Sequence, residues 1–392
     1  MTPTARLSAA IELLDTILTG VNAERALTNW ARGNRYAGSK DRRAIRDCVF
    51  DAVRCLRSYA WLGGAGDATP TGRQVMIGAL RASGVDLDTL FTGERFSPEP
   101  LTDAERDGVT LDAAARGVRL DTPDWLLPKF DSALGADADA ILAIGRERSP
   151  VFLRVNRRKA TLGHAIELLA EDSITAQPHP LSDCALIVTE GARMVARAQA
   201  YLTGAVEVQD AGSQAVINAL PIQDGQRVLD YCAGGGGKAL ALACKADVAV
   251  TAHDIDPTRM QDIAPRASRA GVTITTARAA QLEDSYDLIV ADVPCSGSGS
   301  WSRAPQAKWA LTPERLTELT ELQAQILNEI APRVAKGGVL GYITCSLFDV
   351  ENSEQITGFV ARHPAFRVEA SRLITPIEGA DGFFVCVLRH TG

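Results

Sequence analysis

The chain has 392 residues, of which 46% are hydrophobic and 23% charged. This balance is typical of a soluble globular protein with two or three domains. The sequence has no apolar run near the ~20 residues that a membrane helix requires. Its first residues lack the apolar core of a signal peptide, so we expect a cytoplasmic protein without a membrane partner.

The first third of the chain has helical periodicity. Leu7, Ile11, Leu14 and Leu18 recur at helical spacing, and a second helix is predicted around Ile45–Ala60. We assign residues 1–119 to an all-α domain. Residues 120–205 mix strand patterns, such as Val151–Asn156, with a helix around Ala165–Ala170, which predicts a small α+β domain.

From residue 206 onward, strands and helices alternate. Strands are predicted at Arg227–Asp230, Val248–His253, Val272–Thr276, Leu288–Val293 and Val339–Thr344. Such alternation is typical of an α/β, Rossmann-like, mostly parallel sheet covered on both faces. We therefore assign residues 206–392 to one α/β domain.

The cysteines have no metal-binding spacing. They are Cys48, Cys55, Cys184, Cys232, Cys244, Cys295, Cys345 and Cys386, without a CxxC pair. We expect no metal site, and free thiols in a reducing compartment.

The formal charge of −7 disfavours nucleic-acid binding, but the charge is unevenly distributed. Residues 1–60 carry ten Lys and Arg against six Asp and Glu, and residues 146–159 carry six against one. Local basic stripes allow RNA binding by an acidic protein. Solvated helix faces explain the same pattern equally well.

A glycine-rich loop follows the first strand of the α/β domain, at Asp230–Lys238. Glycines allow a ligand to approach the backbone closely. Asp254, at the end of the next strand, is placed to bind ribose hydroxyls. Three interpretations remain open here. The loop binds a nucleotide-like cofactor, or it binds a nicotinamide dinucleotide in particular, or it is a tight turn without a ligand. The second arises because Gly234, Gly236 and Ala239 loosely match the dinucleotide-binding fingerprint.

Two further strands end in cysteine motifs. Asp292-Val293-Pro294-Cys295 precedes a second glycine-rich loop, and Thr344-Cys345-Ser346 ends the strand that begins at Val339. Free cysteines are often only small buried hydrophobic residues. These two have polar neighbours at strand ends, which favours catalysis. A thiolate that adds to carbon 6 of cytosine activates carbon 5 toward an electrophilic methyl group, and a nearby acid can protonate ring nitrogen 3.

In this order, the motifs resemble those of the RNA 5-methylcytosine methyltransferases of the Fmu/Sun/Nop2 family. The resemblance rests on the Asp230 loop, on Asp292–Gly299 with Pro305 and Trp309, on Thr344-Cys345-Ser346 with Glu351-Asn352, on Gly204–Asp210, and on Asp381–Phe384. Leu153–Asn156 resembles the family's small RNA-binding domain. The helical region, through Ser39–Arg43 and Val53-Arg54, resembles the NusB-like domain of the member that methylates small-subunit ribosomal RNA.

The resemblance implies S-adenosylmethionine as cofactor and RNA, specifically small-subunit ribosomal RNA, as partner. It implies Cys345 as the nucleophile, with Cys295 assisting product release. DNA cytosine methyltransferases instead use a Pro-Cys cysteine, which makes Cys295 the rival nucleophile. Asp292 and Lys238 complete the implied catalytic set. The implied cofactor site comprises Cys232, Ala233, Gly234, Gly235, Gly236, Gly237, Lys238, Asp254 and Asp292.

Three departures concern the cofactor. Gly235 replaces the family's proline, which should loosen the loop and cost ordering entropy. The family's acid after the third strand is not found at Thr276–Ala280, and Ser302 replaces the first Arg of a pair. A catalytically weak RNA-binding or ribosome-assembly factor therefore stays an alternative, beside an NAD-dependent enzyme. We expect a monomer, with phosphate contacts at Arg154, Arg157, Arg158, Lys159 and Arg303.

Overall fold

Helices occupy most of the first 148 residues, and strands begin only at Val151. The computed structural model describes residues 1–66 and 68–392. The α-helices, in chain order, are α1 Pro3–Leu18, α2 Ala23–Gly33, α3 Ser39–Arg54, α4 Leu56–Leu62, α5 Gly72–Ala82, α6 Asp103–Arg106, α7 Arg116–Arg119, α8 Leu127–Leu134, α9 Ala138–Ile144, α10 Leu162–Glu171, α11 Gln199–Leu202, α12 Ala211–Asn218, α13 Gly237–Lys245, α14 Ile263–Ala270, α15 Pro305–Ala310, α16 Pro313–Ile330 and α17 Ser353–Arg362.

The strands form two sheets. They are β1 Val151–Val155, β2 Thr175–Pro178, β3 Ala185–Glu190, β4 Val206–Val208, β5 Arg227–Asp230, β6 Ala249–Ala252, β7 Ile274–Thr276, β8 Tyr286–Asp292, β9 Val334–Thr344, β10 Phe366–Ile374 and β11 Phe383–His390. The smaller sheet is antiparallel, in the order β2-β3-β1-β4. The larger one has the order β10-β11-β9-β8-β5-β6-β7.

The chain divides into two compact units. The first comprises Met1–Arg148 together with Trp301–Leu311, and the second comprises Ser149–Ser300 with Thr312–Gly392. In the first unit, Thr2 caps α1, and Pro3 occupies its first turn, where the missing N–H costs nothing. The apolar stripe of α1, including Leu14, packs with Ile45 and Val49 of α3. Each such fully buried side chain stabilises the unit by about 1.5–3 kcal/mol.

The segment Trp301–Leu311 completes the first unit, although it comes late in the chain. The indole N–H of Trp309 donates to the carbonyl of Val53 at 2.6 Å, and the ammonium group of Lys308 donates to the carbonyl of Arg54 at 3.2 Å. Lys308 is buried, and this burial lowers its pKa to about 8.

In the larger sheet, β9, β8, β5, β6 and β7 are parallel, and β11 and β10 are antiparallel. Apolar residues cover both faces, as expected for a sheet between helices. Asp230 of β5 pairs with Val290 of β8, and Asp292 pairs with Ile343 of β9. The carboxyl ends of these three strands therefore meet at one edge, where ligands bind in such folds.

The fold class predicted from the sequence is confirmed. Several strand limits differ by a few residues; for instance, the strand predicted from Val339 begins at Val334. Helices continue past residue 119 to Ile144. Strand β4, Val206–Val208, pairs with β1, so the smaller sheet extends beyond residue 205. Within the described part of the chain, no helix is both long enough and apolar enough to span a membrane.

Candidate active site

The glycine-rich loop connects β5 to α13 at the carboxyl edge of the sheet. Gly234 and Gly236 have φ angles of 50° and 79°, which favour glycine over other residues. The amide of Ala233 donates to the carbonyl of His253 at 2.8 Å. This contact holds the loop, which contains Cys232 and Ala233 to Gly237, against the end of β6.

Asp254 supports the loop from below. Its buried carboxylate accepts hydrogen bonds from the amides of Gly234 at 2.9 Å and Asp256 at 3.0 Å. Arg259 lies 3.0 Å from the same carboxylate. Ile255, the next residue, exposes 91% of its surface. Asp254 and Ile255 therefore offer an acid and an adjacent open apolar surface at one end of the loop.

Asp230 is a buried acid without a partner. It is only 1% exposed, and neither carboxylate oxygen has a hydrogen-bond partner. The amide of Ala239 faces it without reaching hydrogen-bonding geometry. Burial, followed by the charge of Asp292, raises the pKa of Asp230 to about 7.

Lys238, in the first turn of α13, forms an ion pair with Asp292 at the end of β8. The distance from Nζ to Oδ2 is 2.6 Å, and the ammonium group lies 5.1 Å from the ring centre of Phe383. Burial opposes the charged form of Lys238, but the charge and hydrogen bond of Asp292 outweigh it, so its pKa lies above the ordinary value.

The two cysteines of the strand-end motifs lie side by side. The sulfur atoms of Cys295 and Cys345 are 3.4 Å apart. The hydrogen bond between them lowers the pKa of Cys345 and raises that of Cys295, and the positive charge of Lys238 favours the thiolate of Cys345 further. The thiolate is therefore favoured at Cys345 and the protonated thiol at Cys295.

Glu351 ties the two cysteine loops together from beneath. It is fully buried. Oε1 accepts from the Ser296 amide at 2.8 Å and the Gln323 side chain at 3.0 Å, and Oε2 accepts from the hydroxyls of Ser296 and Ser346. Since Ser296 follows Cys295 and Ser346 follows Cys345, one carboxylate fixes both loops.

Arg154 requires a correction. It is 4% exposed, and its guanidinium donates to Gln209 at 2.7 Å inside the second unit. The interpretation of Arg154 as a phosphate contact was wrong, because this face of β1 is covered. Arg157, Arg158 and Lys159 are exposed. Arg158 donates to the carbonyl of Ala246, just after α13, so it lies at the opposite end of this helix from the glycine loop.

Arg303 is exposed in the late segment of the first unit. The structure brings the other implied residues to one sheet edge: Cys232, Ala233, Gly234 to Gly237, Lys238, Asp254, Asp292, Cys295 and Cys345. Sequence reasoning passed over Asp230, Ile255 and the function of Glu351. All three stood within or beside quoted motifs, and position in a motif was the only signal for them.

These residues fit a cationic nucleoside cofactor. The acids Asp230, Asp254 and Asp292 stand at the ends of adjacent strands, where the buried ammonium group of Lys238 pairs with Asp292 and the exposed guanidinium of Arg259 pairs with Asp254. An excess of buried carboxylate suits a positive sulfonium centre and disfavours an anionic pyrophosphate. The unpartnered Asp230 oxygens are the strongest sign of a missing polar group.

Comparison with solved structures assigns the class of fold. The crystal structure of PH0851 matches 99% of this chain and 99% of its own, with a TM-score of 0.74 and 20% identity. The structure of NSun6 from Pyrococcus horikoshii with SFG matches 69% of this chain and 99% of its own, with a TM-score of 0.62 and 16% identity. The chain has the fold of a Rossmann-like methyltransferase.

Sequence comparison gives the family. The family described as 16S rRNA methyltransferase RsmB/F matches residues 217–388, and the RsmF/B-like ferredoxin-like domain matches residues 122–195. The ribosomal RNA small subunit methyltransferase B of Yersinia pestis is 35% identical over 389 residues, which cover 88% of this chain and 90% of the relative. The chain belongs to the RsmB/F methyltransferase family.

Proposed function

We propose that this protein transfers a methyl group from S-adenosylmethionine to carbon 5 of a cytosine in small-subunit ribosomal RNA. The single observation that carries the proposal is the pair of Cys295 and Cys345 sulfur atoms, 3.4 Å apart beside the Lys238–Asp292 ion pair. The family, the names of the relatives and a structural neighbour containing SFG, an analogue of S-adenosylmethionine, support it.

The chemistry assigns a separate task to each group. The Cys345 thiolate adds to carbon 6 of the base, while the proton shared by Lys238 and Asp292 passes to ring nitrogen 3. The cofactor supplies an electrophilic methyl group. After methylation, solvent water removes the proton from carbon 5, the electrons of that C–H bond restore the double bond between carbons 5 and 6, and the bond between Cys345 and carbon 6 breaks to release the thiolate. The proton on ring nitrogen 3 returns to the Lys238–Asp292 pair, and Cys295 assists by donating its hydrogen bond to the departing sulfur.

The cofactor is held at the glycine loop in this proposal. Asp254 accepts hydrogen bonds from ribose hydroxyls, Ile255 covers one face of the adenine, and Cys232 to Gly237 approach with their backbone. Asp292 places negative charge near the sulfonium centre, and a bound cation would favour the ionised form of Asp230, whose pKa is about 7 without it. This arrangement favours S-adenosylmethionine over the NAD alternative.

RNA contacts are proposed at Arg157, Arg158, Lys159 and Arg303. The target cytosine must be unpaired or turned out of its stack to reach Cys345. We also propose a cytoplasmic monomer with three functional parts: a helical NusB-like domain at 1–119, a small α+β domain at 120–205 and a methyltransferase domain at 206–392.

The decisive experiment measures methyl transfer from labelled S-adenosylmethionine to ribosomal RNA from cells that lack this protein. Wild type, Cys345→Ala and Cys295→Ala are compared, with Cys48→Ala as a control, because Cys48 is an exposed thiol of the helical unit. We expect 5-methylcytosine with wild type and Cys48→Ala, none with Cys345→Ala, and a covalent RNA adduct that accumulates with Cys295→Ala.

The opposite results are equally informative. An adduct that accumulates with Cys345→Ala and not with Cys295→Ala would make Cys295 the nucleophile. No methyl transfer to any RNA, with tight RNA binding retained, would replace this proposal with the binding or assembly factor. Binding of NAD in place of S-adenosylmethionine would contradict both.

A further inference from the structure

The helical unit contains a groove that the methyl-transfer chemistry does not use. It has a volume of about 750 Å³ and is lined by residues that include Ala5, Ala9, Trp30, Asn34, Tyr36 and Phe96. We call it the aromatic groove. Ala5 and Ala9, on α1, are small and buried, so they leave room for a flat ligand. All of its residues belong to the first unit.

Two rings of the aromatic groove are unusually exposed. Tyr36 exposes 72% of its surface and Phe96 exposes 76%, whereas Trp30, also in the lining, is half-buried. Aromatic rings left in water at this level cost free energy unless a partner covers them. The hydroxyl of Ser8 donates to the carbonyl of Phe96 at 2.7 Å, which holds this ring at the groove.

Each exposed ring follows an exposed arginine in the chain, giving Arg35-Tyr36 and Arg95-Phe96. Arg95 has a φ angle of 51°, in the left-handed region that non-glycine residues rarely adopt. Such backbone conformations persist where the surrounding structure enforces them, commonly at binding sites. Each exposed ring therefore has an exposed basic residue as its neighbour in the chain.

The charge near the aromatic groove is positive. Arg32, Arg35, Lys40 and Arg43 are exposed and form no ion pair with any residue of the described chain. Two acids of the same helices already have cationic partners: Glu24 pairs with Arg46, and Asp41 pairs with Arg6 and the N-terminal amine. Glu12, in the groove lining, can accept hydrogen bonds from the amino groups of bases.

We infer that the aromatic groove binds an unpaired stretch of the RNA substrate, with bases stacked on Tyr36 and Phe96 and phosphates held by Arg35 and Arg95. Exposed aromatic rings combined with basic side chains are how proteins bind single strands without reading their sequence. A protein partner would not require a row of unpaired cations. The identification of the ligand as RNA rests on the proposed function, whereas the shape and the exposed rings of the aromatic groove are independent of that function.

The test measures affinity of the full chain for a short unstructured RNA by fluorescence anisotropy, without cofactor. Tyr36→Ala/Phe96→Ala is compared with Val109→Ala, which shortens an exposed apolar residue outside the groove lining. We expect the double variant to bind at least about tenfold more weakly, since each stacked base contributes about 1–3 kcal/mol. Both substituted rings are exposed, so thermal unfolding should match wild type.

Arg35→Ala/Arg95→Ala tests the phosphate contacts. We expect weaker binding and a salt slope reduced by about two, one per lost contact. Arg106→Ala serves as the control, because Arg106 already pairs with Asp88. Unchanged affinity and salt slope in both double variants would overturn the inference, even if a protein were found in the groove. In the Cys345→Ala background the same losses are expected, so failure of catalysis and failure of the groove are distinguishable.

Discussion

Asp230 should make the stability of this protein fall as the pH rises. In the folded chain its carboxyl has a pKa of about 7, against an ordinary value of 3.8. Because the folded pKa is the higher one, the native state binds the extra proton between these two values. The free energy of unfolding therefore decreases from about pH 4 to pH 7 and levels off above.

The size of the effect follows from the shift. Each pKa unit corresponds to about 1.4 kcal/mol, so ionised Asp230 destabilises the fold by up to about 4 kcal/mol above pH 7. Asp230→Asn keeps the shape and removes the charge. Relative to wild type, the variant should gain about 3 kcal/mol between pH 5 and pH 8.

Urea unfolding at several pH values measures this gain. Asp284→Asn is the control, because it makes the same substitution at an exposed carboxylate, and it should show no comparable pH-dependent gain. A constant difference in unfolding free energy between wild type and Asp230→Asn from pH 5 to pH 8 would refute the reasoning. It would mean that Asp230 is ionised in the native state and has a partner.

Three further predictions concern the same unit. Glu351→Ala leaves the Ser296 amide and the Gln323 side chain without their shared acceptor. We expect the free energy of unfolding, measured in urea, to fall by about 2–6 kcal/mol. Glu351→Gln should lose less, and Glu354→Ala, at an exposed carboxylate, should change little. Lys238→Met removes a cation that favours the Cys345 thiolate. The pH midpoint of Cys345 alkylation should therefore rise, and an unchanged midpoint would contradict this. Arg154→Met should lower the free energy of unfolding by about 1–3 kcal/mol, because the hydrogen bond to Gln209 is lost. It should leave the salt dependence of RNA binding unchanged. Arg157→Ala, in contrast, should reduce that salt dependence.

The sequence was sufficient to predict the sheet and the meeting of the motifs. Apolar strand patterns followed by glycine-rich loops predicted β5 and β8, and a similar apolar pattern predicted β9. Parallel strands bring their carboxyl ends to one edge of the sheet. Cys295 and Cys345 end two neighbouring strands, so their proximity follows from the order of the strands. Their 3.4 Å separation does not, because it depends on the carboxylate of Glu351 beneath both loops.

Arg154 shows where local pattern fails. Its position in the basic stretch of residues 146–159 predicts that this charged side chain faces solvent. However, β1 lies between β3 and β4, and Gln214 of α12 donates to the carbonyl of Leu153. Phe152 and Arg154 on one face of the strand and Leu153 and Val155 on the other are all buried, and Gln209 accepts a hydrogen bond from the arginine. The cover comes from residues about sixty positions away, which no local window contains.

The glycine loop shows the same limit in the opposite direction. Gly235 in place of proline predicts a loop that is costly to order, since glycine loses more conformational entropy than other residues. In the folded chain, the guanidinium of Arg266 donates to the carbonyl of Gly235 and also pairs with Glu207 at 3.5 Å. Arg259 pairs with Asp254, which accepts from the amide of Gly234. Contacts from α14 and from the residues before it thus restrain the backbone that the missing proline would have restrained. The departure in sequence therefore need not weaken the proposed cofactor site.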